Sequence, residues 1–518
     1  MILHPSNIPR ILFPLVNNYG GSFLDSQAVT HYNRVIADGG TVPAGLAGTN
    51  AWFKAVKMVY SVSDITTSIS SGIHPHYLGY KAGAGSGATL GLATQTCYNA
   101  VGATGDIVQA TAASQPLILP HTGTNYVFLP RVAGNYFSSP YNAAIALRDD
   151  FDIKAYIQPN VSSTTQVIFA NANAAASSSK LIFRIENSNV LRLLVSLDGS
   201  AFLTYDSTVV LPNVTSAQWV RVTRNRAGGQ VIFYTSPDGT TWTQLGTTVA
   251  STTAQLFNST VVYEVGSNSL GTTVNLFQGI IYRILVSQTI NGAAVLDFNP
   301  ANYNRAVSQS SWTSTTGEVW TNNMLATNTG FKSMICDTTL FAGNGTSVGM
   351  RAASLNMNQS AATSYTVWRK YTNIGVAQII TELGSNSASS SGKGFATGYI
   401  VNQEEFGIYG NVGQYNARYT STSLDLKLST AVNNIANANE SLPYLVNNVS
   451  QSFAASDATN NNTGNMNATG YNFFARDNAA SLWSNVVMAC DIVSKQEDDN
   501  TQRTAMYNAL DVFLNNAL

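Results

Sequence analysis

Charge is scarce in this chain of 518 residues. Lys and Arg together number 26, Asp and Glu 27, so charged residues make up 10% and the formal net charge is −1. An ordinary domain carries about 25%. No basic run exceeds a dipeptide, and the densest cluster, Arg221-Val222-Thr223-Arg224-Asn225-Arg226, alternates as a strand would and is read as a solvated sheet face. Nucleic-acid or anionic-membrane binding needs a concentrated basic face, so no nucleic-acid partner is expected. No apolar run approaches the ~20 residues of a membrane-spanning helix, and no membrane span is expected. The opening Met1-Ile2-Leu3-His4-Pro5, with Pro9 and Pro14 behind it and no basic stretch, makes a poor secretory signal. Cysteine is scarce as well. Cys97, Cys336 and Cys490 are far apart and odd in number, which excludes a disulfide framework or clustered zinc site and leaves three buried thiols. That usage suits synthesis in a reducing cytoplasm.

The residues that carry chemistry are equally thin. Only His74-Pro75-His76, of the five histidines His4, His31, His74, His76 and His121, are close in sequence, and no third metal ligand lies nearby. Glycoside hydrolysis needs two carboxylates about 5–9 Å apart, and on a strand only positions i and i+2 share a face. No Glu-x-Asp-x-Glu or similar run exists. Glu404-Glu405 are adjacent, Asp149, Asp150 and Asp152 suit a strand entrance, and Glu497-Asp498-Asp499 suit the positive end of a final helix. No serine sits in a strand-turn-helix elbow, and Gly83–Gly91 lacks the lysine of a phosphate loop. Asp198 and Asp238 are the places for a calcium ion, but an Asp-Gly turn already explains each. No catalytic, metal-binding or cofactor-binding residue is assigned, no cofactor is expected, the ligand-binding residues stay open, and the chain is read as a non-enzyme.

What is present favours strands. Hydrophobic residues reach 44% and aromatics 10%, so core material is ample. Helical patterning is confined to Ser26–Asp38, Ala44–Met58 and the terminal stretch Lys495–Leu518, where Met506, Leu510 and Phe513 gather on one face. Elsewhere short strands alternate with turns. Phe151–Ile157 places Phe151, Ile153, Ala155 and Ile157 on one face, Asp198-Gly199 closes a hairpin, and Trp219–Arg224 pairs with Gln230–Thr235. The pattern then recurs. Gln166-Val-Ile-Phe is echoed by Gln378-Ile-Ile-Thr (378 − 166 = 212), Gly134-Asn135 by Gly343-Asn344 (343 − 134 = 209), and Phe277–Ser287 by Trp483–Ser494 (483 − 277 = 206). Agreement of order at three places predicts a duplicated sandwich. The expected organisation is an N-terminal region over 1–105, a first sandwich over 106–300, a linker over 301–332 and a second sandwich with its helix over 333–518. Trp219, Trp242, Trp368 and Trp483 are expected in the cores, and Trp312 and Trp320 as anchors of the linker.

The Trp219–Arg224 and Gln230–Thr235 strands, the Ser236-Pro-Asp-Gly-Thr-Thr-Trp242 turn and the Val265-Gly-Ser267 step resemble the concanavalin A-like, laminin-G-like jelly roll. The opening, with Ala51-Trp-Phe-Lys-Ala-Val-Lys57 ahead of Gln109-Ala-Thr-Ala-Ala-Ser-Gln-Pro116, is similar to a set of phage virion proteins. The resemblance implies an all-β chain with two jelly rolls in tandem behind a partly helical N-terminal region. It also implies a structural component of a virion, made in the host cytoplasm: a surface or tail appendage, fibre or decoration protein that contacts other virion proteins, assembles as a homo-oligomer and contributes to host-surface attachment. The alternative is a carbohydrate-binding adhesin module without catalysis, whose partner is a host-surface glycan.

Overall fold

The computed structural model describes residues 33–40, 69–73, 80–82, 94–98, 106–119, 125–172, 180–272, 274–303 and 311–324, and beyond these 334–336, 340–343, 347, 349–352, 360–370, 378–383, 394–400, 403–409, 414–420, 427–434, 444–451, 455–458, 471–474, 486–494 and 498–514. Over these residues the chain is all-β, apart from a helical turn at 33–37, two 3-10 turns and the C-terminal helix α1 (Asn500–Leu514). The turn at 33–37 falls inside the expected helix Ser26–Asp38, while Ala44–Met58 lies outside the described residues.

Five strands come first: β1 (Ile69–Ile73), β2 (Tyr80–Ala82), β3 (Thr94–Cys97), β4 (Ile107–Val108) and β5 (Leu117–Leu119). Next are β6 (Tyr126–Pro130), β7 (Tyr136–Ser139), β8 (Phe151–Pro159), β9 (Gln166–Asn171), β10 (Leu181–Ile185), β11 (Leu191–Ser196), β12 (Phe202–Asp206), β13 (Gln218–Asn225), β14 (Gln230–Ser236), β15 (Thr243–Gln244), β16 (Val249–Ala250), β17 (Tyr263–Val265) and β18 (Gln278–Ser287). Four short strands follow: β19 (Ala294–Phe298), β20 (Ser311–Thr313), β21 (Val319–Asn323) and β22 (Met334–Cys336). The last group is β23 (Leu340–Ala342), β24 (Met350–Ala352), β25 (Ala361–Lys370), β26 (Gln378–Leu383), β27 (Gly394–Ile400), β28 (Gln403–Tyr409), β29 (Gln414–Thr420), β30 (Lys427–Asn434), β31 (Tyr444–Val446), β32 (Val449–Ser450), β33 (Ala455–Ala458), β34 (Tyr471–Phe473) and β35 (Val486–Ser494).

These strands form two compact units. One holds residues 89–91 and 122–337; the other holds 1–88, 92–121 and 338–518. In the first, one sheet runs β15-β14-β13-β8-β18-β6-β22, with β16 on β14 and β19 on β18, and the facing sheet runs β12-β11-β10-β9-β17-β7-β21-β20. Alternation decides which side of each strand is inside. Phe151, Ile153, Ala155 and Ile157 of β8, Val220 and Val222 of β13, and Val231 and Phe233 of β14 meet Phe169, Phe183, Leu193 and Val265 of the other sheet in one core. Hydrophobic burial at roughly 25 cal/mol per Å² of apolar surface makes that core the main stabilising term.

The second unit repeats the plan. Its sheets run β32-β31-β30-β25-β35-β23-β5, with β1 on β35, and β2-β3-β4-β24-β34-β26-β27-β28-β29-β33. Strands β8, β9, β13, β17 and β18 have β25, β26, β30, β34 and β35 in the same places, so the tandem jelly rolls expected from the sequence are present. Asp499 starts helix α1 by a reciprocal cap, accepting from the Gln502 amide at 2.8 Å while its own N–H donates to Gln502 Oε1 at 2.8 Å. Met506 and Leu510 of the helix are buried, and the Tyr365 hydroxyl of β25 donates to buried Asp498 just before it at 2.7 Å.

The expected boundaries need correcting in two places. The stretch 301–332, read as a linker, contains the hairpin β20–β21, which extends the first sandwich from β7. Its Trp312 and Trp320 face each other across that hairpin and pack on Phe298 at ring-centroid distances of 5.3 and 5.0 Å, inside the core. The Ser, Thr and Asn around them suggested a linker because a short hairpin with one face outward buries only one apolar residue per strand, Trp312 and Trp320. Residues 106–119, read as the start of the first sandwich, belong instead to the second, where β4 pairs with β24 and β5 with β23.

Candidate functional site

Two hairpins of the first sandwich are closed by one seven-residue device. In Ser196-Leu-Asp198-Gly199-Ser-Ala-Phe202 and Ser236-Pro-Asp238-Gly239-Thr-Thr-Trp242 the serine Oγ accepts the glycine N–H at 2.8 and 2.9 Å and donates to the aspartate Oδ1 at 3.1 and 2.9 Å. The same Oδ1 takes the N–H groups of Ser200 and Ala201 at 2.8 and 2.9 Å, or of Thr240 and Thr241 at 2.8 and 2.7 Å. Those N–H donors hold the Asp198 carboxyl down at about 2, and the Thr241 and Thr240 N–H groups hold Asp238 well below the usual carboxylate range. Both aspartates are therefore spent on their turns. Among the described residues no group of three or more His, Cys, Asp or Glu side chains gathers where a metal could be held.

The second device positions aromatic rings. Gly239 has φ +74°, and a Cβ there would lie 2.7 Å from Trp219 Cε2, so the turn packs directly on the indole. Trp219 is on the side of β13 opposite the core residues Val220 and Val222, together with Arg221. Its ring stacks on Tyr156 of β8 at 5.3 Å and 11°, and Tyr156 stacks on Tyr282 of β18 at 4.4 Å and 27°. Trp242 stands across the end of this row, at 6.4 Å and 79° to Trp219. Tyr156, Trp219, Tyr234, Trp242 and Tyr282 are all half-buried, so they present edges on the outward face of one sheet. Trp219 and Trp242 are thus not core residues as expected, whereas Trp368 is fully buried and its indole N–H donates to Ser429 Oγ at 2.8 Å. Trp483 lies outside the described residues.

A buried ion pair lies beside the row on the same face of the sheet. Arg221 donates from Nε and Nη2 to the two carboxylate oxygens of Asp152 at 2.8 Å each, and from Nη2 to Asn291 Oδ1 at 2.6 Å. Its guanidinium lies 5.0 Å from the Tyr234 ring centroid and 5.3 Å from that of Trp242. Asp152 also accepts from the Asn291 N–H at 3.0 Å, with Lys154 Nζ at 3.6 Å. Polar groups flank the rings: the Tyr282 hydroxyl donates to Gln158 at 2.9 Å, and Arg283 holds Asp297 at 2.9 and 2.8 Å. Burial pushes the Tyr282 hydroxyl up to about 12, so it remains a neutral donor. The arginines read as one solvated face thus split three ways. Arg221 is buried in this ion pair, and Arg224 is buried with its guanidinium on the carbonyls of Arg148, Asp149, Thr252 and Ala254. Arg226 is partly exposed beside Asp149.

The weighed acids fall elsewhere. Asp149 and Asp150 hold Arg226 and its N–H at the β8 entrance, and Glu404 and Glu405 occupy adjacent positions on β28, opposite Tyr419 and Arg418. On the other sheet Glu186 and Asp206 are brought together through Arg192, but guanidinium donors hold both, Arg184 also binding Glu186. Cys97 is buried and free, the side chains of Cys336 and Cys490 lie outside the described residues, and so do all five histidines. No helix among the described residues is long and apolar enough to cross a membrane.

No protein-family model matches the chain, and no curated protein sequence matches it. Solved structures do. Domains LG4-5 of the mouse laminin alpha1 chain are 10% identical, covering 74% of this chain and 91% of that one with a TM-score of 0.30. The SAP-like pentraxin of Limulus polyphemus is 11% identical over 33% of this chain and 78% of that one, with a TM-score of 0.25. The CBM40 of Ruminococcus gnavus IT-sialidase, bound to alpha2,3 sialyllactose, is 12% identical over 34% of this chain and 94% of that one, with a TM-score of 0.26.

Proposed function

We propose that this chain is a non-catalytic binding protein whose first sandwich takes a neutral glycan on its outward aromatic face, and that it serves as an oligomeric surface or tail appendage of a phage-type virion. One observation carries the binding reading: five half-buried aromatic rings share the solvent side of a single rigid sheet, held by a buried Arg–Asp pair, with amide and hydroxyl groups at their edges. Sugars are recognised by apolar ring faces and edges beside such donors and acceptors, and a site on strands is held more firmly than one on loops. The two carboxylates beside the rings are both held, Asp152 by Arg221 with Lys154 and Asp297 by Arg283, so the face offers little net charge to a ligand. The virion reading rests on the opening segments Ala51–Lys57 and Gln109–Pro116, and repeated copies would raise a weak contact to useful avidity.

A glycan array probed with the full chain and with Trp242→Ala tests the binding reading. Retention of at least one neutral oligosaccharide class, reduced tenfold or more in Trp242→Ala, is expected; a tenfold loss corresponds to about 1.4 kcal/mol. Absence of retention on every glycan overturns it. Release of reducing ends from a polysaccharide would replace it with an enzyme. Mass spectrometry of purified particles tests the virion placement.

A further inference from the structure

Residues 69–119 and 294–336 do the same work in two different sandwiches. β19 pairs with β18, setting Phe298 opposite Ile284 and Ala294 opposite Ser287, as β1 pairs with β35, setting Ile73 opposite Asp491 and Ile69 opposite Ser494. The hairpin β20–β21 adds to β7 as the hairpin β3–β4 adds to β24, and β22 adds to β6 as β5 adds to β23. The sequence carries the same correspondence. Thr104-Gly-Asp-Ile-Val108 is echoed by Thr316-Gly-Glu-Val-Trp320 at 316 − 104 = 212, the displacement that relates Gln166 to Gln378. Each segment is therefore an edge module that finishes a jelly roll.

Their places in the chain differ. The module 294–336 directly follows the sandwich it finishes, whereas 69–119 precedes the whole first sandwich and finishes the second. Only residues 120–125 separate β5 from β6, and only residues 337–339 separate β22 from β23. Both distances suit a simple hairpin. Yet β5 passes over β6 to pair with β23, and β22 passes over β23 to pair with β6. Two equivalent modules, each within hairpin reach of a strand like the one it chooses, make a reciprocal exchange closed inside one chain.

We infer that the 69–119 module is an exchangeable element, and that the second sandwich of one copy accepts this module from a second copy of the chain. The seat is specific. Cys97, Ile107 and Leu117 of the module are fully buried, Cys97 Sγ lies 3.8 Å from Met350 Sδ, and Gln109 reaches the Gly349 carbonyl at 2.5 Å. A second sandwich without it exposes the edges of β23, β24 and β35, which demand a strand. The same contacts made within a chain close a monomer; made between chains they link copies head to tail.

Cysteine pairs in the full chain test this. L117C/A342C bridges positions opposite each other across β5 and β23, while L117C/F128C bridges those that would meet if β5 folded back on β6. Expected on oxidation is an intrachain bond in the first and none in the second, mapped by peptide mass against native Cys97, Cys336 and Cys490. A bond in L117C/F128C overturns the exchange. Chains carrying L117C alone and A342C alone are then unfolded together and refolded at increasing concentration. A disulfide-linked heterodimer that grows with concentration is expected, and its absence throughout overturns transfer between copies. If L117C/A342C does not fold, L119C/L340C reads the same register.

Discussion

Arg221→Ala should unfold the first sandwich far more easily than the loss of one surface charge would. The Asp152 side chain is wholly inaccessible to solvent and that of Arg221 is 6% exposed, and the pair is joined by two hydrogen bonds of 2.8 Å. Removing the guanidinium leaves a buried carboxylate with the Asn291 N–H and, at 3.6 Å, Lys154. Breaking a buried pair from one side costs about 3–5 kcal/mol, while replacing both partners with apolar residues of similar volume is often close to neutral. The expected order of stability is wild type, then R221M/D152L close behind, then Arg221→Ala lower by about 3–5 kcal/mol. Urea denaturation of the first sandwich, followed by tryptophan fluorescence, measures all three. A cost below about 1 kcal/mol for Arg221→Ala, the value of an exposed pair, would falsify the claim that this ion pair supports the aromatic row.

Gly239→Ala forces a Cβ to within 2.7 Å of Trp219 at φ +74°, so a loss of about 1–2 kcal/mol from the backbone alone is expected, with weaker glycan retention; an unchanged melting curve refutes the close packing. Trp320→Ala should cost about 3–5 kcal/mol because the ring is fully buried, and a loss under 1 kcal/mol would return residues 311–323 to the status of a linker. In the second sandwich burial raises the Asp491 carboxyl to about 7 despite hydroxyl donors from Thr366 and Tyr471 at 2.7 Å each. The folded form therefore holds a proton that the unfolded chain releases near pH 4, so stability is greatest below pH 4 from this group and is lost as pH rises to about 7. Asp491→Asn should flatten that slope, by on the order of 4 kcal/mol between pH 4 and 7, and an unaltered pH profile of the second transition counts against it.

The fold class was legible because strand alternation and turn chemistry are local. Phe151–Ile157, the Asp198-Gly199 hairpin and the Trp219–Arg224 pairing with Gln230–Thr235 all need only near neighbours in the chain to be read, the widest pair being Trp219 and Ser236 (236 − 219 = 17). The module swap was not legible, since β4 and β5 hold two and three strand residues whose partners follow more than two hundred positions later. The aromatic face was half legible. Trp219 shares its parity with Arg221 and not with Val220 and Val222, and Tyr156 alternates with Ala155 and Ile157, so the pattern already placed both outside. What hid them was the habit of assigning large rings to the interior. Tyr282 could not have been placed, because a register shift between Ile281 and Arg283 breaks the alternation there.

The position of the 69–119 module also sets the timetable of synthesis. Residues 122–337 emerge from the ribosome as a contiguous stretch and contain every described strand of their own sandwich, so that half can fold while translation continues. The earlier-made segment has no sheet to join until β23, β24 and β35 appear, and Ile69 must wait for Ser494, 494 − 69 = 425 residues later. Closure of the second half is therefore late relative to the synthesis of its first strand and of high contact order, and slow folding follows. During that interval a nascent chain carries an unmatched donor strand, and crowded copies on one messenger are each other's nearest acceptors.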